Sequence, residues 1–268
     1  MTSRQDLAKL LHVFIDLPFE AKLPGAQWNE DHLFLQRYRL VKPLAERGDN
    51  MRIYWAKDTQ TQQDRLVIKL AWTFEAAIQP AEEYLLLTQS LKDCPYTPQS
   101  VRSGFDETAK CLVFVQTPLG RDLDIMFHCL KIGVDKEADV YRECFLQVMG
   151  PKAVVALIEI HKRGVIHRDI KPSNIIYHRA MDRIMFIDFG AATADAKSMQ
   201  GFKSSDYASE RVNAEQPGTF EDDWISLAYT WYSCWVGDVY MEQVKAGTRP
   251  SLQQIGVLFP FLADKLPK

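Results

Sequence analysis

The chain of 268 residues is 47% hydrophobic and 25% charged, enough to bury a sizeable core as one large domain or as two lobes sharing a cleft, so disorder is excluded as its default state. Its 32 Lys and Arg against 35 Asp and Glu leave a formal net charge of −3, and nothing in that balance points to a nucleic-acid partner. The 5 cysteines, at 94, 111, 129, 144 and 234, are odd in number and form no CxxC pair, so neither a disulfide framework nor a zinc site is indicated and a reducing compartment, cytoplasmic or nuclear, is expected.

The opening string MTSRQDLAKLLHVFIDLPF carries Asp6, Lys9, His12 and Asp16 inside its apolar stretch, which breaks any signal-peptide core. No apolar run is read as approaching membrane-spanning length, so no membrane association is expected. Leu7, Leu10, Leu11, Phe14 and Ile15 recur at helical spacing before Pro18, and Pro24 and Gly25 mark the connection that follows. Residues 1–37 are therefore read as an extension packed on the main domain. MRIYWAK (51–57) and RLVIKLAW (65–72), joined by the polar DTQTQQD, predict an antiparallel hairpin. A helix from about Ala76 to Leu91 comes next, with Leu85, Leu86, Leu87 and Leu91 as its apolar residues, and then a strand at CLVFVQT (111–117).

From Leu123 the pattern turns helical. LQVMGPKAVVALIEIHKRG is apolar on more than one face, as a buried helix should be, and Gly164 is placed to stop it. NIIYH and RIMFIDFG predict a small hairpin beside the helical core. A loop of small and polar residues at 191–206 leads to another helix at 222–236. No internal repeat or low-complexity segment is present. The expected fold is α+β: a small antiparallel-sheet lobe with one helix, over 38–118, followed by a mainly helical lobe over 119–268.

The strings VIHRDIKPSNII (165–176) and FIDFG (186–190) resemble the catalytic loop and magnesium motif of the protein kinases. His167, Arg168, Asp169, Lys171 and Asn174 match HRDxKxxN in full, and Asp188 follows Asp169 by 19 residues. The resemblance implies ATP and Mg²⁺ as the reacting partners. Asp169 would orient the attacking hydroxyl and accept its proton, Asn174 and Asp188 would offer oxygen ligands to Mg²⁺, and Lys171 would neutralise the phosphoryl group in transit. A lysine two residues after the catalytic Asp favours serine and threonine of protein substrates as acceptors. Lys69 ends a VIK segment resembling the kinase VAIK, and would contact the ATP phosphates while pairing with a helix glutamate, Glu83 or Glu82.

Aligning IYWA (53–56) with the family's VYxA puts Glu46, Gly48 and Met51 at the three positions of its glycine-rich loop, so only the central glycine survives. Met51 restricts the backbone there, and Glu46 would repel phosphate if it turned inward. Ile53 and Val67 would form the ceiling of an adenine slot and Ile176 its floor. In CLVFVQTPLGRDL the hinge register is open: with Phe114 at the back of the pocket the adenine-binding amide falls on Thr117, whereas with Val115 there it falls on Pro118, which has no N–H.

Two further strings, FKSSDYASE (202–210) and DDWISLAYTWYSCWVG (222–237), resemble the casein kinase 1 and vaccinia-related kinase group through Tyr207, Ala208 and Ser209 and through Asp222, Asp223, Ser226 and Leu227. By this resemblance Asp223 would hold the catalytic-loop backbone, and Arg249 is a candidate partner for Glu210. Arg168 stands where many kinases carry a phosphate-capturing arginine, with Thr193, Ser198, Ser204 and Ser205 as candidate acceptors, but the casein kinase 1 group usually works without that switch and no phosphosite is assigned. Few residues remain after Asp223, so the second lobe is expected to be abbreviated. The leading expectation is an ATP-dependent Ser/Thr protein kinase. The alternatives are a pseudokinase that binds a partner protein, suggested by the degraded glycine loop, and a small-molecule phosphotransferase, whose relatives carry HGDxxxxN instead.

Overall fold

The computed structural model describes residues 31–46, 50–118, 120–128, 136–194 and 205–267. The expected N-terminal helix at 7–15, Gly48, Cys129, Ser198 and Ser204 lie outside them. The described residues form two compact units: one holds those up to 93 together with 98–118, and the other holds 94–97 and 120–267.

The first unit is a six-stranded antiparallel sheet with one helix. Its strands are β1 (Leu33–Phe34), β2 (Tyr38–Glu46), β3 (Met51–Asp58), β4 (Leu66–Ala71), β5 (Gln99–Asp106) and β6 (Cys111–Thr117), in the order β1-β2-β3-β4-β6-β5. The β3–β4 hairpin follows the sequence expectation, with Ile53 opposite Lys69 and Ala56 opposite Leu66. Strand alternation then separates two faces. Ala56, Leu66, Ile68, Leu70, Val113 and Val115 close one apolar cluster with Phe34 and Tyr38. On the other face Ala71, Leu112 and Phe114 pack with Ala77 and Ala81 of α1 (Phe74–Thr88), whose N-cap Thr73 accepts the Ala76 N–H. Three strands were not anticipated. β2 hides its period behind two register shifts around Pro43, and β5 has the mostly polar sequence QSVRSGFD.

At the end of β3, Asp58 accepts two bonds from Arg37, at 2.9 and 2.6 Å, and also bonds Thr61 and the backbone of Gln60 and Thr61. The Arg37 guanidinium, helped by these turn donors, holds the Asp58 carboxyl far below the usual carboxylate range.

The second unit begins with β7 (Arg121–Asp122), α2 (Leu123–His128) and α3 (Lys136–His161). β8 (Ile175–His178) and β9 (Arg183–Phe186) form the expected hairpin, with β7 added on the far side of β8. Next come α4 (Glu210–Asn213), α5 (Phe220–Val236), α6 (Val239–Lys245), α7 (Leu252–Leu258) and α8 (Pro260–Ala263). α3 packs on β9 and α5 through Leu146, Met149, Ala153, Ala156, Leu157 and Ile160, and the Leu146 carbonyl accepts the indole N–H of fully buried Trp231 at 3.1 Å. Gly164, at φ +75°, ends this helix run and bonds back to the His161 carbonyl. Thr219 and Asp222 form a reciprocal capping box that starts α5.

One expectation is corrected here. Asp139–His161 is long and apolar enough, by length and composition, to cross a membrane. In this structure the stretch supplies the central packing helix of its unit.

α8 reaches α3 where Gly150 has no side chain: a Cβ there would lie 2.1 Å from Cζ of Phe261. Substituting Gly150→Ala therefore costs stability by overpacking, about 1–3 kcal/mol, although alanine favours a helix interior, and urea unfolding checks this. The depressed Asp58 carboxyl contributes stability that is present above its unfolded value of roughly 4 and is lost as pH falls towards the folded value. Denaturation curves for Asp58→Asn are accordingly expected to show lower stability at neutral pH and a shallower loss below about pH 4.

Candidate active site

In the second unit the chain leaves α3, turns at Gly164 and enters a loop whose backbone is held from beneath. Asp223, in the first turn of α5 and 1% exposed, accepts the backbone N–H of His167 at 2.8 Å and of Arg168 at 2.9 Å. This is the role expected for Asp223. Arg168 sits in the left-handed region at φ +66°, a conformation that costs a non-glycine residue about 1 kcal/mol and is fixed here by those bonds. His167 is fully buried. Its Nδ1 accepts the Asp169 N–H at 3.3 Å, so Nε2 carries the hydrogen and donates to the Ile187 carbonyl at 3.1 Å. Its ring packs on Phe189, with centroids 4.6 Å apart.

Asp169, Lys171 and Asn174 are brought together. Lys171 Nζ lies 3.0 and 2.9 Å from the two carboxylate oxygens of Asp169, which is 4% exposed. Asn174 Nδ2 donates to the Asp169 carbonyl at 2.8 Å and to its Oδ2 at 3.0 Å. Both amide hydrogens are thereby committed to Asp169, and the Asn174 side-chain oxygen is left to face elsewhere as an acceptor. The β8–β9 hairpin sets the spacing to Asp188: Asn174 directly precedes β8, Asp188 follows β9 by two residues, and the intervening Ile187 N–H bonds the Asn174 carbonyl at 2.9 Å. Asp188 is left-handed, at φ +60°, and half-buried.

A carboxylate and an amide oxygen are the hard donors that Mg²⁺ takes. Among the described residues no group of three or more His, Cys, Asp or Glu could hold a metal ion. Asn174 and Asp188, with an amide oxygen and a carboxylate, are the residues that would hold such an ion.

In the first unit Lys69, 6% exposed, forms an ion pair with Glu83, 1% exposed, on α1. Glu82 does not take that place, and burial alone raises its carboxyl above the ordinary value. The β3–β4 register puts Ile53 directly opposite Lys69, while Val67, two residues before it, shares its face. Phe114 is also opposite Lys69, and Val115 points to the other face. Thr117 ends β6 and its hydroxyl accepts from Gln63 at 3.0 Å. Ile176 is buried in β8 of the second unit. Met51 is buried in the ladder opposite Ala71, and Glu46 pairs with Arg52 through the backbone.

Arg249 does not pair with Glu210, its candidate partner from the sequence. Arg249 donates to the carbonyls of Asp206 at 3.3 Å and Ala208 at 3.1 Å, and lies over the Tyr229 ring at 4.6 Å. Glu210 instead starts α4, exposed, where the helix dipole favours a carboxylate. The segment is tied down by Asp222, which bonds Ser209 Oγ at 2.6 Å, the Thr219 N–H at 2.7 Å, and Arg211. Burial pushes the Asp222 carboxyl up, but these partners outweigh it and hold it below the usual range. Thr193 exchanges backbone bonds with Ile166 at 2.8 and 2.9 Å, anchoring the start of the loop that follows Asp188.

Comparison with known proteins agrees with this geometry. The family model described as the protein kinase domain matches residues 105–259. This chain belongs to the protein kinase family. A Drosophila melanogaster non-specific serine/threonine protein kinase is 38% identical over 81 residues, 29% of this chain and 12% of that protein. Citron rho-interacting kinase of Rattus norvegicus is 29% identical over 168 residues, 58% of this chain and 8% of its own length. The Homo sapiens cell division cycle 7-related protein kinase is 42% identical over 76 residues, 27% of this chain and 13% of that protein. The kinase chain thus spans well under two thirds of the length of these curated relatives.

The buried pair in the first unit supplies a test of how the kinase fold is held. Removing one partner strands a charge, so Lys69→Met alone is expected to cost about 3–5 kcal/mol. The double variant Lys69→Met with Glu83→Leu recovers most of that loss in guanidinium unfolding, because no uncompensated carboxylate remains.

Proposed function

We propose that the chain is an ATP- and Mg²⁺-dependent kinase that transfers the γ-phosphoryl group to serine or threonine hydroxyls of protein substrates. The observation that carries this is the Asp169 carboxylate with Lys171 on both oxygens and Asn174 on one. A carboxylate so placed can accept a hydroxyl proton as the oxygen attacks phosphorus. The lysine stabilises the carboxylate beforehand and shields the incoming negative phosphoryl group from it. Asn174 and Asp188 would hold Mg²⁺, which neutralises phosphate charge when bound. In the first unit the buried Lys69, oriented by Glu83, would meet the nucleotide phosphates, with Ile53, Val67 and Thr117 of the same unit as the residues for the base.

A protein acceptor is supported by a cavity of about 800 Å³ in the second unit, lined by Lys171, Tyr207, Glu210, Tyr229 and Arg249 among others. It is large enough to seat a stretch of polypeptide beside the Asp169–Lys171 pair. Likeness to the casein kinase 1 group rests on the two strings at 202–210 and 222–237, of which Ser209 and Asp222 bond to each other. The free cysteines at 94, 111, 144 and 234 support a cytoplasmic or nuclear setting.

A second reading rests on Met51, whose burial in the β3–β4 ladder puts a side chain at a position where the family carries glycine. In that reading the chain is a scaffold that holds a partner protein without turning over ATP.

Incubated with Mg²⁺, labelled ATP and a generic protein acceptor, the wild-type chain is expected to transfer label, with Asp169→Asn slower by about 10²–10⁴-fold. Label transfer that persists in Asp169→Asn contradicts the proposal. Thermal unfolding with MgATP decides the scaffold reading, since ligand at about 100 times its Kd adds about 2.7 kcal/mol and an unchanged Tm means no binding.

A further inference from the structure

The face of the first-unit sheet that carries Lys69 also holds a buried amide with nothing to bond. Gln116 of β6 lies directly opposite Val67 of β4, two places along the ladder from the Phe114–Lys69 pair, so all four side chains share that face. α1 covers the end of it where Ala71, Leu112 and Phe114 pack, and Gln116 belongs to neither apolar cluster of the unit. Gln116 is 4% exposed, yet its side-chain Nε2 is buried without a hydrogen-bond partner among the described residues. The hydroxyl of Ser100, opposite Gln116 on β5, is buried and unpartnered in the same way. Buried polar side chains are normally bonded, because an unmet amide loses its water and gains nothing in return. An apolar residue at 116 would make the more stable sheet, as Phe114 and Val115 do beside it.

We propose that Gln116 is a base-reading residue, whose side-chain Nε2–H donates to a ring nitrogen of the adenine of ATP. This rests on the ATP reading above and extends it to a side chain outside the catalytic-loop, magnesium and VIK strings. Val67 stands directly across the ladder from Gln116, and Ile53 pairs with Lys69 from β3; both are residues for the base. Thr117, whose N–H is the candidate partner of the base, is the next residue in the chain. A donor at 116 therefore borders the residues for the base both along β6 and across to β4. The phosphates already have Lys69, two places further along the ladder. What remains for Gln116 is a neutral group with an acceptor, and adenine carries ring-nitrogen acceptors next to its exocyclic amine. A carboxamide, with N–H and C=O side by side, is the side chain that meets such an edge in base recognition.

Gln116→Met, close in size but without hydrogen-bonding hydrogens, separates a ligand contact from a structural one, because the two move stability in opposite directions. Removing an unbonded buried amide is expected to raise the Tm of the nucleotide-free chain by roughly 2–4 °C. The same change is expected to weaken MgATP binding about tenfold, read as Kd by calorimetric titration. Analogues of ATP in which one ring nitrogen is replaced by C–H, at position 1, 3 or 7 of the purine, identify the acceptor. For one of them the loss of affinity relative to ATP is expected to be about tenfold larger in wild type than in Gln116→Met. Should Gln116→Met fail to fold, Gln116→Leu takes its place, and the wild-type chain must still bind at least one analogue about tenfold more weakly than ATP. A variant that is less stable without nucleotide and unchanged in Kd shows an amide bonded within the fold and overturns the inference. Equal analogue losses in the two chains, or a wild-type chain that binds every analogue as tightly as ATP, overturn it as well. A wild-type chain that binds no MgATP overturns both this inference and the proposed function, whereas MgATP bound equally by wild type and variant overturns this inference alone.

Discussion

The arrangement depends on one buried carboxylate, that of Asp223. Asp223 accepts two consecutive backbone N–H groups of the catalytic loop from a position with 1% exposure. Hydrogen bonds to a charged acceptor are worth about 1.5–3 kcal/mol each, and an unpaired buried donor costs a comparable amount. Together these exceed the roughly 1 kcal/mol that the left-handed Arg168 demands. The loop is therefore stable in a conformation its own residues would not choose, and Asp169 emerges from it in a fixed direction. α5 can hold Asp223 there because its first turn is closed by the Thr219–Asp222 capping box and its middle is locked by buried Trp231.

From that anchor the rest of the second unit's site follows by short covalent and hydrogen-bonded steps. Asn174 is oriented by donating twice to Asp169, and its backbone carbonyl takes the N–H of Ile187, the residue before Asp188. The 19-residue interval between Asp169 and Asp188 is thus the length of one small hairpin closed back on its own start. His167 ties the same two segments together through its neutral ring. The first unit carries its own preformed element, in which a buried lysine is neutralised by Glu83 on the helix that covers its face of the sheet.

Much of this could be read from residue order. Local period and motif spacing revealed the β3–β4 hairpin, the long helix ending at Gly164, the β8–β9 hairpin and the grouping of Asp169, Lys171 and Asn174, because each depends on neighbours close in sequence. What escaped depends on distant partners. Strand β5 is polar and takes its conformation from pairing with β6, and β2 conceals its alternation behind bulges. The spacing of 14 residues from Lys69 already favours Glu83 over its neighbour Glu82, and the ion pair agrees. Arg249 found backbone carbonyls and a tyrosine ring where a carboxylate had been expected, since the stretch from Asp206 to Ala208 presents those carbonyls once Ser209 is tied to Asp222.

Protein kinase family membership and the Asp169 constellation support the proposed phosphoryl transfer to a hydroxyl. The most direct measurement supplies ATP whose γ-phosphoryl oxygens carry heavy oxygen, with Mg²⁺ and a protein acceptor, and follows the label by mass spectrometry. The account predicts serine or threonine phosphate esters that retain the heavy oxygens of the transferred group. Label found only in free inorganic phosphate, or remaining in ATP, would contradict it.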